Sequence, residues 1–173
     1  MANLKEIRNR ITSVSSTMQI TSAMKMVSAA KLKKAQDAIT AMRPYASTLT
    51  ELIQNLSGAL EGDAQNPYTE VREKKAVLIV AITSNRGLCG AFNANIIKKT
   101  RQLMTENYAN QKVSLLTVGK KGSEILAKTN QVVSSHDALF DELTYSKVSE
   151  VAQQVMDQFE EKAYDEVVLV YNR

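Results

Sequence analysis

The sequence is poor in the residues that build disulfides, metal centres and tight turns. Its 173 residues include one cysteine, one histidine, two prolines, six glycines and no tryptophan. A lone cysteine excludes disulfides within the chain, and without a second cysteine or histidine the usual structural zinc sites are excluded as well. The charged start lacks the apolar core of a secretory signal, and no window approaches the roughly 20 apolar residues of a membrane span. We therefore expect a cytosolic or peripheral protein without structural metal.

Apolar residues instead recur at alternating spacings of three and four through the first 60 residues, which is the pattern of a coiled-coil helix. Only Thr21, Lys25 and Ser28 interrupt this seam. At about 1.5 Å per residue the helix would be a rod roughly 85 Å long. Nothing in residues 71–173 repeats the pattern, so we expect the partner of the seam to lie outside this chain. The seam residues are Leu4, Ile7, Ile11, Val14, Met18, Leu32, Ala35, Ile39, Met42, Ala46, Leu49, Ile53, Leu56 and Leu60.

A proline falls inside this register. Because an interior proline removes a backbone hydrogen bond and disfavours helix in the preceding residue, we predict a bend near Arg43 and Pro44. The helix should resume at Tyr45 and end near residue 60. Residues 1–60 are then the rod, and residues 61–75 read as a polar linker.

The first part of the rod differs from the rest in charge and in where its apolar residues lie. Residues 1–44 hold eight lysines and arginines against two acids, which indicates an acidic partner. Ile20, Met24, Met26 and Val27 lie at positions outside the seam, where a coiled coil is normally polar. Methionine is flexible and polarisable, which suits a contact that must fit several surfaces in turn. A third packed helix and an ordinary solvated face are the alternatives. The flanking cations are Arg8, Arg10, Lys31, Lys33 and Lys34.

The remainder, residues 76–173, alternates short strands and helices. A continuous apolar, β-branched run such as AVLIVAIT favours a strand buried on both faces of a parallel sheet. We predict an open α/β layer of Rossmann-like type, incomplete where the chain stops. The predicted strands are Ala76–Thr83, Val113–Val118, Gln131–Ser134 and Val167–Tyr171, and the predicted helices follow the first turn and cover Ser123–Lys128 and Lys147–Lys162.

Two turns have the composition of a nucleotide site but not its spacing. Residues 84–93 contain only two glycines, three apart, where a dinucleotide fingerprint needs G-x-G-x-x-G. Residues 119–123 (GKKGS) lack the spacing that wraps backbone amides around a phosphate, and a tight turn explains them equally well. Cys89 as a nucleophile would need a nearby base, and His136 is the single histidine. We expect no cofactor.

Two stretches, ITSAMKMVSAAK at residues 20–31 and SNRGLCG at residues 84–90, together resemble the gamma subunits of F-type ATP synthases. The order of long N-terminal helix, linker and α/β domain is also similar, so the resemblance covers all 173 residues. In that family the chain continues through further sheet into a long C-terminal helix, which supplies an antiparallel partner for the rod. The resemblance therefore implies a chain truncated after residue 173.

The resemblance implies a non-catalytic rotor-stalk subunit that turns inside a ring of alpha and beta subunits and couples proton-driven rotation to ATP synthesis or hydrolysis. It implies an epsilon subunit and a membrane c-ring as further partners, and a peripheral place on the cytoplasmic face of a bacterial plasma membrane. It implies contacts with the alpha/beta ring at Arg8, Ile20, Met24, Lys25, Met26, Val27 and Lys31. It implies contacts with epsilon and the rotor foot at Arg86, Gly87, Leu88, Cys89 and Gly90.

Two other functions compete with this interpretation. One is a Rossmann-like nucleotide-binding enzyme that uses the rod as a dimerisation arm. The other is a basic-helix nucleic-acid binder, which the scarcity of aromatic residues disfavours because the rod contains only Tyr45. We expect no nucleic-acid partner.

Overall fold

The computed structural model describes residues 3–59, 67–68, 70 and 72–172, without the side chains of residues 57–59. The chain divides into two units, Met1–Ala64 and Gln65–Arg173, and each is described by itself. Among the described residues, no helix is both long enough and apolar enough to pass through a lipid bilayer. The predicted linker 61–75 falls largely outside the described residues.

The described part of the first unit is a single helix, α1, which extends over Leu4–Ala59. Asn3 starts it, because its side-chain oxygen accepts a hydrogen bond from the amide of Lys5 at 3.2 Å. The helix continues without interruption through Pro44, so the prediction that it resumes only at Tyr45 is wrong, and the bend near Arg43 and Pro44 stays a prediction. Proline removes one hydrogen bond, but its fixed φ is close to the helical value, so the flanking turns can continue the helix.

The apolar seam of α1 is uncovered. Every side chain of residues 3–56 is exposed, including Leu4 at 71% and Leu56 at 59%. Most helical stability in proteins comes from packing an apolar face rather than from intrinsic propensity. Within this unit the described residues thus supply no cover for the seam.

The second unit is built on four parallel strands, in the order β3-β2-β1-β4. This confirms the predicted Rossmann-like open α/β architecture. The strands are β1 (Ala76–Ile82), β2 (Lys112–Val118), β3 (Val132–His136) and β4 (Glu166–Val170).

The helices of this unit connect successive strands. The prediction placed the start of α3 at Ser123, three residues too late, because Gly119 turns the chain with φ 98° and lets the helix begin immediately. The helical segments are α2 (Phe92–Gln102) with a π-helical turn (Leu103–Asn107), α3 (Lys120–Leu126), a 3₁₀ turn (Asp137–Phe140) and α4 (Tyr145–Glu160).

Strand β1 is the centre of the core. Val77, Ile79 and Ala81 face α2 and α3, where they pack with buried Ile96, Ile97 and Leu126. Leu78 and Val80 face the opposite side and pack with Leu116 and Val118 of β2, with Leu139 and with Val151 and Val155 of α4. Burial on both faces explains why this segment is continuously apolar rather than alternating.

The segment that leads into β1 is fastened to the end of α4 by Arg72. The side chain of Arg72 is only 9% exposed. Its guanidinium lies 4.4 Å from the centre of the Phe159 ring, and two of its nitrogens donate to the Phe159 carbonyl, each at 3.2 Å. Arginine thereby adds side-chain donors to a carbonyl at the end of α4, which also accepts from the amide of Lys162 at 3.1 Å.

A second fastening begins three residues after Arg72, at Lys75. One carboxylate oxygen of Asp165 accepts hydrogen bonds from the amides of Ala76 at 2.8 Å and Lys75 at 2.9 Å. These bonds hold the pKa of Asp165 below its ordinary value. Because the folded-state pKa is lowered, the contribution of this carboxylate to stability is present above the ordinary aspartate pKa and is lost as the pH falls through the lowered one.

We expect Arg72→Ala to lower the free energy of unfolding by about 2–3 kcal/mol, since it removes a buried cation–ring contact and the hydrogen bonds from the guanidinium to the Phe159 carbonyl. Arg72→Lys keeps the charge but not the forked geometry, and should restore less than half of that loss. Urea unfolding followed by circular dichroism measures both. Equal unfolding midpoints for Arg72→Ala and the parent chain would show that the fastening contributes nothing.

Candidate functional site

The loop of residues 84–91 lies at the carboxyl edge of the sheet. From β1 the chain proceeds to β2 and β3 on one side and returns to β4 on the other, so this loop follows the strand at which the order reverses. In open α/β sheets, binding sites lie at this position. The loop is therefore the first place in the second unit to look for a functional surface.

The loop is braced from within by Asn93. Its side-chain oxygen accepts from the amide of Ser84 at 2.9 Å, and its nitrogen donates to the carbonyl of Arg86 at 3.2 Å. The Ser84 hydroxyl donates to the same carbonyl at 2.6 Å. Asn172, which follows β4, donates to the carbonyl of Phe92 at 2.9 Å. Side chains thus hold the base of the loop in one shape.

The apex of the loop displays Leu88. This leucine has a left-handed backbone, with φ 58°, and its side chain is fully exposed, at 110% of the reference area. A left-handed conformation costs a residue other than glycine roughly 1–2 kcal/mol, and here no burial compensates for it. Strained positions of this kind concentrate at functional sites. Arg86, Gly87, Cys89 and Gly90 are exposed beside it, so the five predicted contact residues form one surface.

The turn before α3 has no amides left for a phosphate. Three consecutive backbone amides at the start of α3 would have to bind the anion. All three already donate hydrogen bonds to residues 83–85, which follow β1. These bonds join Lys120 N to Asn85 Oδ1 at 2.9 Å, Lys121 N to Ser84 O at 3.1 Å and Gly122 N to Thr83 Oγ1 at 2.8 Å.

The glycines of that turn serve chain packing. A Cβ on Gly119 would lie 2.2 Å from the carbonyl oxygen of Thr83, and one on Gly122 would lie 2.8 Å from the Thr83 hydroxyl oxygen. By contrast, a Cβ on Gly87 or Gly90 would meet nothing within 4 Å. The turn of residues 119–123 is thus a tight junction between β1 and α3, which is the alternative that the sequence left open.

Cys89 and His136 are not partners. The described neighbours of the Cys89 sulfur are the Asn93 amide nitrogen at 3.3 Å and the Arg86 carbonyl at 3.9 Å. His136 instead pairs with the Ser134 hydroxyl at 3.0 Å. Within the described parts of the chain, no three histidine, cysteine or carboxylate side chains gather as a metal site would require.

The predicted ring-contact residues all lie on α1 and are all exposed. We name the stretch from Ile20 to Val27 the sleeve. Its apolar side chains are 56–66% exposed, including both methionines. Arg8, Lys25 and Lys31 are exposed as well, and no carboxylate among the described residues comes within 4.0 Å of them. The sleeve thus combines apolar side chains with cations that have no partner in the described part of the chain.

Comparison with known families agrees with these features. A model of the protein family described as ATP synthase matches residues 3–173. The chain belongs to the ATP synthase family. Family membership favours the gamma-subunit interpretation over the nucleotide-binding enzyme, whose phosphate site the α3 turn also fails to provide.

Individual members of the ATP synthase family match along the whole chain. It is 62% identical to the ATP synthase gamma chain of Flavobacterium johnsoniae over 173 residues, and 61% identical to that of Flavobacterium psychrophilum over the same length. The ATP synthase gamma chain of Geobacter sp. strain M21 is 43% identical over 173 residues. The alignments cover 99–100% of this chain and 60% of each relative, so the chain spans three-fifths of their length.

Sequence reasoning found the exposed part of the loop but not the residues that hold it. Asn93 braces the base, and Asn85 joins the loop to two neighbours through the Lys120 amide and the Asp137 carbonyl. Two asparagines around a glycine-containing turn were the available signal, since asparagine side chains commonly bond to nearby backbone.

Replacing Leu88 by glycine should raise the free energy of unfolding by about 0.5–1 kcal/mol, because it removes left-handed strain without losing any packing. Leu88→Ala is the matched control: it truncates the side chain but keeps the strain, so its stability should equal that of the parent. Thermal or denaturant unfolding of the three chains checks this. A loss of stability in Leu88→Gly would mean that the leucine stabilises the fold by packing.

Proposed function

We propose that this chain belongs to the central stalk of an F-type ATP synthase, as a non-catalytic subunit that turns inside the alpha/beta ring. Rotation driven by protons at a membrane c-ring would thereby be coupled to ATP synthesis or hydrolysis. The observation that carries the proposal is the uncovered heptad seam of α1, a 56-residue helix. The name ATP synthase gamma chain, given to relatives along the whole chain, supports it.

The seam is consistent with a shaft. A single helix of about 84 Å with an apolar stripe requires a second helix to bury that stripe. The relatives are longer than this chain, which spans 60% of their length. We propose that in the whole protein a helix from outside these 173 residues covers the seam, and that the paired helices transmit torque.

The sleeve is the proposed contact with the alpha/beta ring. A rotating shaft must break its contacts at every step, so a small apolar surface of flexible side chains is better suited than a large specific interface. The seven residues from Arg8 to Lys31 would meet acidic loops, where charge attraction contributes orientation more than affinity. Their exposure on α1 supports this assignment.

The loop of residues 86–90 is the proposed second contact surface. Its braced base and strained, exposed Leu88 suit a fixed surface for another protein. We retain the prediction that its partners are the epsilon subunit and the rotor foot, with the complex held at the cytoplasmic face of the membrane. The alternative partner is the alpha/beta ring itself.

Native mass spectrometry of the full-length chain, purified from gently solubilised membranes of its own source, tests the function. We expect three copies each of two larger subunits to accompany it. A cysteine-directed photocrosslinker on Cys89 in the same preparation identifies the neighbour of the loop, and attachment to an alpha or beta subunit would show the epsilon and foot prediction to be wrong. A free chain or a homodimer would contradict the stalk function altogether.

Met24→Lys tests the sleeve. An added cation opposite acidic loops should over-stabilise one angular position, and an exposed ion pair of up to about 1 kcal/mol corresponds to a turnover slower by up to about fivefold. Met24→Leu, which keeps the apolar surface, is the control and should turn over at the parent rate. ATP hydrolysis and proton pumping by the purified complex are the measurements. Identical rates and coupling for Met24→Lys and the parent would show that residue 24 does not touch the ring.

A further inference from the structure

A second exposed surface lies where α4 begins. Val151 and Val155 of α4 pack against the core together with Leu139. The apolar side of α4 does not stop there but continues toward its first turn as Val148 and Tyr145, which lie three and six residues before Val151. Tyr145 is 89% exposed. The apolar side of the helix thus extends beyond the part that the sheet covers.

Two further residues enlarge this surface. Leu143, just before α4, is 64% exposed, and Phe140, at the end of the 3₁₀ turn, is 41% exposed. We name these four residues (Phe140, Leu143, Tyr145 and Val148) the α4 patch. A groove of about 310 Å³ runs between the 3₁₀ turn and α4, the elements that carry Phe140, Tyr145 and Val148, and its lining includes Leu139 and Val151. Neighbouring exposed apolar side chains that include two aromatics are typical of protein interfaces.

The segment that carries the α4 patch is acidic although the chain as a whole is basic. Four carboxylates and one lysine lie between residues 137 and 150, in a chain of net charge +4. Lys147 pairs with Glu142. Among the described residues, no lysine or arginine comes within 4.0 Å of Asp137, Asp141 or Glu150. Two of these unpaired carboxylates, Asp137 and Glu150, line the groove together with Leu139 and Val151, so the groove combines negative charge with apolar side chains.

We propose that the α4 patch docks a different polypeptide, through a segment that carries an apolar side chain flanked by lysine or arginine. Charge complementarity identifies this occupant. A second copy of the chain, placed on the same patch by two-fold symmetry, would bring the same carboxylates against each other, which opposes association. A cationic segment instead places its charges beside Asp137, Asp141 and Glu150 while its apolar side chain enters the groove. This docking proposal rests on the proposed stalk function in one respect: the partner is sought in the assembled ATP synthase complex.

The test replaces Tyr145 of the full-length chain by the photoreactive p-benzoylphenylalanine, irradiates the complex purified from its own membranes, and maps the crosslinked peptide by mass spectrometry. We expect a crosslink to another polypeptide, with a lysine or arginine within one helical turn of the attachment point. The same reagent at Gln153, which is exposed further along α4, is the matched control and should not reach that peptide.

Charge variants give the second readout. Reversing both charges, with Asp141→Lys and Glu150→Lys in one chain, should lower the crosslink yield from position 145 by about tenfold. The neutral double variant, Asp141→Asn with Glu150→Gln, should give a yield between those of the parent and the charge-reversed chain. A crosslink to a second copy, to the remainder of the same chain or to a segment without cations would overturn the proposal, as would no crosslink at all. Absence of the larger subunits from the preparation would count against the stalk function instead, so the two failures are distinguishable.

Discussion

An apolar stripe that the described chain does not bury is the constraint on which the first unit depends. Burying the leucine, isoleucine and methionine side chains of α1 would stabilise the helix by about 25 cal/mol for each Å² of apolar surface removed from water. That stabilisation is absent while water surrounds them. A helix of this length cannot recover that loss from intrinsic propensity. Its stability must come from burying this stripe, which the described residues of the first unit do not do, and the proposed partner helix would supply that burial.

The second unit differs from the first because its apolar residues are covered: the central strand, β1, is buried on both faces. Helices cover both sides of β1, and the segment entering it is held by Arg72 and by the carboxylate of Asp165. This arrangement gives the loop after β1 a rigid base, which Asn93 extends to within a few residues of Leu88. A stiff platform that displays a strained leucine is better suited to holding another protein than to closing around a small molecule.

Strong periodicity predicted most of the fold from sequence, and single side chains decided where it failed. The apolar runs fixed all four strands to within about two residues, since few alternatives can bury AVLIVAI on both faces. The prediction that the helix resumes only at Tyr45 was wrong. The one hydrogen bond that Pro44 removes is a small loss beside the other backbone hydrogen bonds of a 56-residue helix. The bracing by Asn85 and Asn93 was missed because such bonds depend on where the turn folds. The contact residues on α1 and in the loop remain predictions, since their partners lie outside this chain.

The turn before α3 has a consequence for how the protein responds to its surroundings. A protein that bound a nucleotide through those three amides would gain and lose stability as the nucleotide concentration changed, by the ordinary linkage of binding to folding. Here the amides are bonded to residues 83–85 of the same chain, whose local concentration never varies. The junction between β1 and α3 therefore needs no bound nucleotide to pair these three amides.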